Sequence, residues 1–513
     1  MAAPEFEIPK YRAFPTVPAM VPGAMAHSKP YVANEKIQEA IGFQGKLDED
    51  WQVTHDKVIG KFGELLGKYR SLKVFMDACV HCGSCTDKCH YFIGTGDPKN
   101  MPVARQELMR SIYRRYFTVP GKLFPKLVGA RDLTKDVLDE WFSYFWQCSE
   151  CRRCSVFCPY GIDTAEVTMA ARHIMDSVGY GQKYSNEILG KVNKIGNNLG
   201  LPGPALEDTL LGLEEDVKDD TGVDVKYPLD VQGAEVLLIT PSADFFAEPH
   251  IESLIGYGKV FHAAGISWTL SSYASEAGNF GLFNGDYGMM RKIAMRIREQ
   301  ALELGVKRIV VGECGHAWRV AYAFWNTLTG LGAGGNDPFA VELQKQLDPK
   351  YKQPSHICEL TWDLIQQGRL KFDKEANDSR IITFHDSCNV ARASRMGDQP
   401  GGQFDIPRNI IKSVANKFVD MDEATIREIT FCCGGGGGVL TDDLIEARVK
   451  GAFPRMEALQ QVVDKHGVNF MATICAICKA QFTKVLPYYG FNMRLVGGVH
   501  QLVSTAIRLG DEQ

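Results

Sequence analysis

Cys79-Val-His-Cys82-Gly-Ser-Cys85-Thr-Asp-Lys-Cys89 and Cys148-Ser-Glu-Cys151-Arg-Arg-Cys154-Ser-Val-Phe-Cys158-Pro159 both read C-x2-C-x2-C-x3-C. Three thiolates on one tight loop can hold three irons of a four-iron cube, while the fourth cysteine, opening a helix, reaches the cluster of the other run. The spacing therefore predicts one cluster on Cys79, Cys82, Cys85 and Cys158 and a second on Cys148, Cys151, Cys154 and Cys89. A zinc ribbon uses two C-x2-C pairs for one metal and leaves the third and fourth cysteines of each run without a task. Thiols so closely spaced, with no signal-peptide pattern at the amino terminus, point to bound metal or a reducing compartment rather than to disulfides. Such a chain is expected to move electrons.

Length and composition set the outer limits. The 513 residues suggest two to four domains, and 45% hydrophobic with 23% charged residues is ordinary for a globular protein. No stretch approaches the roughly 18 to 20 apolar residues that span a bilayer, so no membrane span is expected, and work at a membrane would need a partner. A net charge of -5 gives no general attraction to nucleic acid. Between the cysteine runs, Arg105, Arg110, Arg114, Arg115, Lys122, Lys126 and Arg131 alternate with Tyr113, Tyr116, Phe117 and Phe124. That stretch reads as a solvated helix face or as a docking surface for a membrane subunit or acidic carrier. Residues 207–224, rich in Asp and Glu, read as part of a linker, and the Pro-, Ala- and Gly-rich first 50 residues as an extended arm.

From about residue 232 short β-branched runs alternate with amphipathic stretches. Glu235–Thr240, a helix from about Glu252 to Ala264 and Ile266–Leu270 come first. Later come Arg380–Phe384, a helix near Pro407 to Lys417, a strand ending at Phe431, a helix from Asp442 to Gln461, and Phe470–Thr473. The repeated order predicts two parallel α/β lobes. In the second, Cys388, the pair Cys432-Cys433 before Gly434–Gly438, and Cys475-Ala-Ile-Cys478 fall just past strand ends, where such folds build sites. Five thiols delivered by three loops fit a metal cofactor, and the glycines let backbone approach it. A cube needs four ligands, so the fifth thiol suggests an unusual cluster or a redox-active thiol beside one. The glycine run lacks G-x-G-x-x-G with a matching acidic residue, which argues against a dinucleotide site.

In the first lobe, Glu276-Ala277-Gly278 falls where the second has Cys432-Cys433-Gly434, and Cys314-Gly-His316-Ala317 where it has Cys475-Ala-Ile-Cys478. This lobe is expected to hold no cluster and to form a wall facing the other, with Cys314 and His316 as candidate catalytic residues and Glu276 beside them. A lone cysteine is often inert filler, and Cys358, in the connection between lobes, is a weaker candidate. His385-Asp386 is expected to serve the surroundings of the second-lobe site.

The C…CCG…CxxC pattern resembles the cysteine-rich domain of heterodisulfide reductase catalytic subunits. The resemblance implies a noncubane four-iron cluster on Cys388, Cys432, Cys433, Cys475 and Cys478, although the gaps of 43 and 41 residues look longer than the usual pattern. In the related two-cluster ferredoxins a proline follows the fourth cysteine; here only Cys158 keeps it, and His90 follows Cys89. From about residue 70 to 505 the chain is similar to the HdrD subunits of heterodisulfide reductase and their relatives, a two-cluster ferredoxin module fused to the cysteine-rich module. Within that group the long arm and eroded first lobe look most like the DsrK-type subunits.

The resemblance implies two cubane [4Fe-4S] clusters and one noncubane cluster. It also implies integral-membrane haem b or quinone-reactive partner subunits, and a small DsrC-like sulfur carrier whose disulfide, trisulfide or dithiol exchanges electrons at the second lobe. A cytoplasmic position on the inner face of the membrane follows from those partners. The other reading is an electron relay like the iron-sulfur subunits of glycolate oxidase or anaerobic glycerol-3-phosphate dehydrogenase. The expected architecture is an α+β multi-domain chain: an arm (1–70), a mostly helical ferredoxin module (71–206), an acidic linker (207–231), a degenerate α/β lobe (232–375) and a complete one (376–513).

Overall fold

A computed structural model of the chain describes residues 48–325, 338–441 and 444–510. Most of the predicted arm lies outside them. Its described part is the helix Trp51–Lys68, which starts at Asp50, whose carboxylate accepts from the Gln52 N–H. Val58, Phe62 and Leu65 recur on one face, the spacing of an amphipathic helix. They enter a core with Leu72, Met76, Met109, Ile112, Trp141 and Phe145. This segment belongs to the helical module and is not an appendage to it.

The cysteine runs sit on that module, which is built from the helices Arg70–Ala78, Pro102–Phe117, Lys135–Phe145 and Thr164–Asp176. The basic stretch between the runs divides in two. Arg105 and Arg110 are buried, donating to Asn100 and to the carbonyls of Tyr144 and Met76. Arg115 and Arg131 pair with Asp132 and Glu140. The solvated-face reading therefore fails for Arg105 and Arg110, because their guanidinium groups satisfy last-turn helix carbonyls that have no partner within the helix.

The acidic linker is corrected as well. Gly203–Thr221 is a helix ending at Gly222 in the left-handed conformation (φ 71°). Leu206, Leu210, Leu213 and Val217 lie buried along it, and the Asp and Glu residues occupy the other side. Burying each such side chain contributes about 1.5–3 kcal/mol, enough to hold a charged segment as a packed helix. The helix Lys183–Ile195 likewise joins the core of the α/β lobes through Leu189 and Val192.

Both lobes are parallel sheets, as the strand–helix alternation predicts. The first has the strands β1 (Val236–Ile239), β2 (Trp268–Thr269), β3 (Arg308–Val311) and β4 (Ser355–His356), in the order β2-β1-β3-β4. The second has β5 (Ile382–His385), β6 (Phe470–Thr473) and β7 (Val496–Gly498), in the order β5-β6-β7. Phe418 bridges Ile382 in parallel, giving the second lobe a rudiment of the strand that β2 supplies to the first. Ile239 pairs with Val311 and His385 with Thr473, so the central strands of each lobe end level and aim their following loops at one place.

The strand expected to end at Phe431 is absent. Residues 423–429 form short 3-10 turns, and arginines take the carbonyls that a strand would have offered to a neighbour. Arg153 donates to Ile429 O, and Arg392 to Glu428 O and Thr430 O.

The helical module docks on the second lobe where the helix His90–Thr95 crosses Ile445–His466. A Cβ on Gly94 would meet Lys450 O at 1.8 Å, whereas one on Gly67, in the helix Trp51–Lys68, would meet nothing within 4 Å. Gly94→Ala is therefore expected to lower stability by about 1–3 kcal/mol, while Gly67→Ala raises it by about 0.5–1 kcal/mol through helix propensity. Calorimetric unfolding of the two variants checks this, and a neutral Gly94→Ala would show that the crossing is looser than described.

Candidate functional site

Each ferredoxin-type run turns through left-handed residues at equivalent places, His81 (φ 56°) and Gly83 (φ 77°) in the first, Glu150 (φ 52°) and Arg152 (φ 61°) in the second. Side-chain-bearing residues adopt this conformation rarely, and it persists where the surroundings fix it. Here it curls each loop around its own thiols. Cys79, Cys82, Cys85 and Cys158 line one small cleft, with Cys154 at its edge. Cys148, Cys154 and Cys89 gather on the other side, facing the buried Arg105 guanidinium. Cys158, the fourth of the second run, thus lies with the first three of the first run, and Cys89 lies with Cys148 and Cys154. Burial, with Cys158 and Cys79 alongside, pushes the Cys85 thiol up to about 11. Thiols held this way ionise together when a bound cation offsets their charge, which is the donor set an iron-sulfur cluster requires.

The five second-lobe cysteines come together in the core. Cys388 begins the helix Cys388–Ala393 after β5, and Cys475 holds the N-cap position of the helix Ala476–Val485 after β6, with Cys478 in its first turn. Cys388 Sγ and Cys432 Sγ lie 3.9 Å apart. Cys433 hydrogen-bonds to Cys432 and Cys478, and Cys478 to Cys475. Hydrogen bonds from Cys151, Cys388 and Cys433 hold Cys432 well below the usual thiol range. Burial opposes ionisation of Cys475, yet hydrogen bonds from Cys314, Cys478 and His316 leave it well below that range too. Donating to Cys432, reinforced by burial, pushes Cys388 well above it. All five could become thiolates only around a metal centre.

His385, fully buried with Cys432 and Cys475 nearby, has no hydrogen-bond partner on either ring nitrogen. A polar ring left so is expensive unless something accepts its N–H, and cluster sulfide would. His385 therefore fits the surroundings of a cluster, as the sequence suggested. Asp386 is held instead by both amino groups of Arg408, each at 2.8 Å, and is structural.

The glycine run after Cys433 threads between all the modules. A Cβ on Gly436 would come within 3.1 Å of both His316 Nε2 and Ser149 O, and one on Gly437 (φ 62°) within 2.7 Å of the Ser149 carbonyl carbon. Arg172, unmarked in the sequence because it is one arginine of an ordinary helix, fastens the run there. It donates to Gly437 O (2.7 Å), Phe283 O (2.9 Å), Cys148 O (2.6 Å) and Phe145 O (2.9 Å), and pairs with Glu150 at 2.9 Å. His90, in the place of the missing proline, links Ser149 Oγ to Gly451 O, each at 2.7 Å. Arg392 donates to Cys151 O at 2.7 Å and so ties the second ferredoxin loop to the segment before Cys432. The outcome is that the modules adjoin, with Cys151 and Cys432 close enough to perturb each other's ionisation.

The first lobe repeats the frame without the thiols. Gly278 (φ 86°) matches Gly434 (φ 91°), and Cys314 holds the N-cap position of the helix Gly315–Ala323, accepting from the Ala317 N–H, where Cys475 holds the same position in its own helix without such a bond. Ser242, three residues past β1 as Cys388 is past β5, donates to Glu276 Oε1 at 2.7 Å. A hydrogen bond thus fills the place of two thiols. Cys314 nevertheless reaches the second-lobe site and hydrogen-bonds to Cys475. His316 places Nδ1 3.7 Å from Cys475 Sγ, while Asn389 Nδ2 lies 2.8 Å from its Nε2. Cys358 is not part of this group. It lies with Glu313 and His500 in the seam between lobes, where Glu313 already pairs with Lys479 at 2.7 Å and His500 at 2.8 Å.

The class of protein follows: an iron-sulfur electron-transfer chain whose ferredoxin module abuts a cysteine-rich module. Residues 75–162 match the 4Fe-4S dicluster domain and residues 382–483 the cysteine-rich domain. The chain is 43% identical to an Hdr-like menaquinol oxidoreductase iron-sulfur subunit of Archaeoglobus profundus, over 90% of this chain and 84% of that one. It is also 43% identical to Hdr-like menaquinol oxidoreductase iron-sulfur subunit 2 of Archaeoglobus fulgidus, with the same coverage. The HdrD chain of the dihydromethanophenazine:CoB–CoM heterodisulfide reductase of Methanosarcina barkeri is 26% identical over 79% of this chain and 87% of its own. The chain belongs to the family of Hdr-like oxidoreductase iron-sulfur subunits, related to the HdrD chains of heterodisulfide reductase.

Arg172→Lys keeps the charge but loses the fork, stranding carbonyls of three modules. A loss of about 3–5 kcal/mol is expected, as for breaking other buried pairs, with a lower iron content per purified chain. Calorimetry with iron analysis checks both, and wild-type values for both would remove Arg172 from this role.

Proposed function

We propose that this chain is the catalytic iron-sulfur subunit of a membrane-associated complex. In this reading it passes electrons between a quinone- or haem b-bearing membrane partner and the disulfide, trisulfide or dithiol of a small DsrC-like sulfur carrier, in the manner of DsrK-type subunits. The functional units are the ferredoxin module at 71–206 and the lobes at 232–375 and 376–513. Cys79, Cys82, Cys85 and Cys158 would hold one cubane [4Fe-4S] cluster, and Cys148, Cys151, Cys154 and Cys89 the second. Cys388, Cys432, Cys433, Cys475 and Cys478 would hold a noncubane cluster. When bound, these groups supply one-electron storage and transfer.

The observation that carries this reading is that Arg392 ties the Cys151 carbonyl to the carbonyls of Glu428 and Thr430 just before Cys432, so the second ferredoxin loop and the cysteine-rich site adjoin. At the other end Cys82 is exposed, flanked by exposed Val80 and Tyr160, and offers an electron partner a short approach. The names of the relatives, a menaquinol oxidoreductase and a heterodisulfide reductase, supply the two ends of such a route. No helix among the described residues is long and apolar enough to cross a membrane, so the partner subunits would hold the chain, on the cytoplasmic face. The protein's own part is positional. Arg392 and Arg153 fix the loop before Cys432, and Arg172 fixes the glycines after it.

Electron paramagnetic resonance of the anaerobically purified, oxidised protein tests the reading. A four-iron signal that shifts on adding a small thiol or a carrier peptide, and that is missing in Cys432→Ser, is the expected result. Ordinary reduced-cubane signals indifferent to thiols would give the electron-relay reading the lead and remove the catalytic role of the second lobe.

A further inference from the structure

The three most exposed large apolar side chains among the described residues, Leu127 at 85%, Val119 at 70% and Leu123 at 65%, fall in one short stretch, and Phe124 beside them is 58% exposed. That stretch is Thr118-Val-Pro-Gly-Lys122-Leu-Phe-Pro-Lys126-Leu-Val-Gly-Ala130, which has two lysines and no acid in a chain whose net charge is -5. Both lysines are exposed and form no ion pair among the described residues, whereas Arg115 and Arg131, on either side, are neutralised by Asp132 and Glu140. Apolar side chains this bare stand out from the surface and mark a contact with a protein or a membrane.

Two features select the membrane. Lysine is depleted at the cores of protein interfaces. Here it alternates with apolar side chains, and a lysine stem can lie along an apolar layer while its ammonium reaches phosphate. The backbone is also suited to a medium that offers few hydrogen bonds. The N–H groups of Gly121, Lys122, Phe124 and Leu127 donate within the stretch, and Pro120 and Pro125 have none. The stretch is held firmly as well: a Cβ on Gly121 would meet Arg114 O at 1.8 Å, and Ala130 N donates to Pro125 O at 2.9 Å. Its position links it to the electron route. Arg114 donates to Gly129 O at 3.0 Å and pairs with Glu107, whose carboxylate lies 2.8 Å from Nε2 of His81, between Cys79 and Cys82.

We propose that residues 119–127 dip into the surface of an anionic lipid bilayer. Val119, Leu123, Phe124 and Leu127 enter the boundary between headgroups and acyl chains, and Lys122 and Lys126 rest on lipid phosphates. This contact is the chain's own, additional to the partner subunits of the proposed complex and independent of the chemistry at the second lobe. Through Arg114, Glu107 and His81 it brings the loop of residues 79–85, with exposed Cys82, to the membrane side of the molecule.

The test floats the full-length, cluster-loaded chain with unilamellar vesicles in low-salt buffer under anaerobic conditions. The vesicles are phosphatidylcholine alone or an equimolar mixture with phosphatidylglycerol. Wild type is expected to float with the anionic vesicles and less with the neutral ones. Lys122→Gln with Lys126→Gln should weaken binding to the anionic vesicles about fivefold per lysine. Leu123→Ser with Phe124→Ser and Leu127→Ser should weaken it at least about tenfold. Both variants should keep wild-type iron content and thermal unfolding, because the altered side chains are exposed. Val231→Ser, at an exposed apolar residue elsewhere, should float as wild type does.

No flotation of wild type, or flotation unchanged in both variants of the stretch, would overturn the proposal. An equal loss in Val231→Ser would do the same, by making the binding general adsorption. A triple serine variant that floats normally but no longer assembles with the membrane subunits would also overturn it and assign the patch to a protein partner. The paramagnetic test of the second lobe reads neither lipid nor this stretch, so the two readings can fail separately.

Discussion

Arg172 is fully buried, and a guanidinium taken out of water is tolerated only where its donors find partners. It finds them in three parts of the chain at once: Phe145, Cys148 and Glu150 of the ferredoxin module, Phe283 of the first lobe and Gly437 of the second. The Trp146 ring lies against its other face, 4.0 Å from the guanidinium carbon. The carbonyls of Cys148 and Gly437 lie in loops and those of Phe145 and Phe283 at helix ends, where the helix itself leaves them without an i+4 donor. One side chain therefore makes the docking of three modules and the satisfaction of their carbonyls the same event. An electron route benefits, because the separation of its sites is then set by rigid packing and not by a linker.

The glycine run is the complement of that arginine. Gly434, Gly437 and Gly438 have positive φ, and side chains on this run would strike Gln481, His316 and the Ser149 carbonyl. Backbone passes where no side chain could, and the second ferredoxin loop comes to rest against Cys432. Arg153 and Arg392 do the same for the segment on the other side of the cysteine pair, consuming the carbonyls that might have made a strand.

The two lobes share a frame and differ in what fills it. Strand order, the left-handed glycine and the N-cap cysteine all repeat, but Ser242 and Glu276 replace thiols with a hydrogen bond in the first lobe. Across the seam, Glu313, next to Cys314, pairs with Lys479, next to Cys478, in a fully buried contact. That ion pair holds the two helices face to face, so the surviving first-lobe thiol meets the second-lobe site.

What the sequence by itself determined was whatever is local in the chain. C-x2-C-x2-C-x3-C loops present their thiols within one or two turns, and strands followed by cysteines aim them at a sheet edge whatever the details. The run identities, the repeated lobes and the placing of Cys388, Cys475 and Cys478 were legible for that reason, whereas Cys432 and Cys433 follow no strand and are brought in by Arg153, Arg392 and the glycine run. Charge misled where burial was decisive: residues 207–224 read as a linker until the spacing of Leu206, Leu210, Leu213 and Val217 met a core to pack on. Phe431 read as a strand end because the competing arginines come from other parts of the chain. Only the tertiary structure decided that the Cys151 loop adjoins Cys432, that Cys314 meets Cys475, and that Arg172 joins three modules. Those partners are separated by hundreds of residues or by whole domains, and no local propensity encodes a contact that exists only once separate cores have docked.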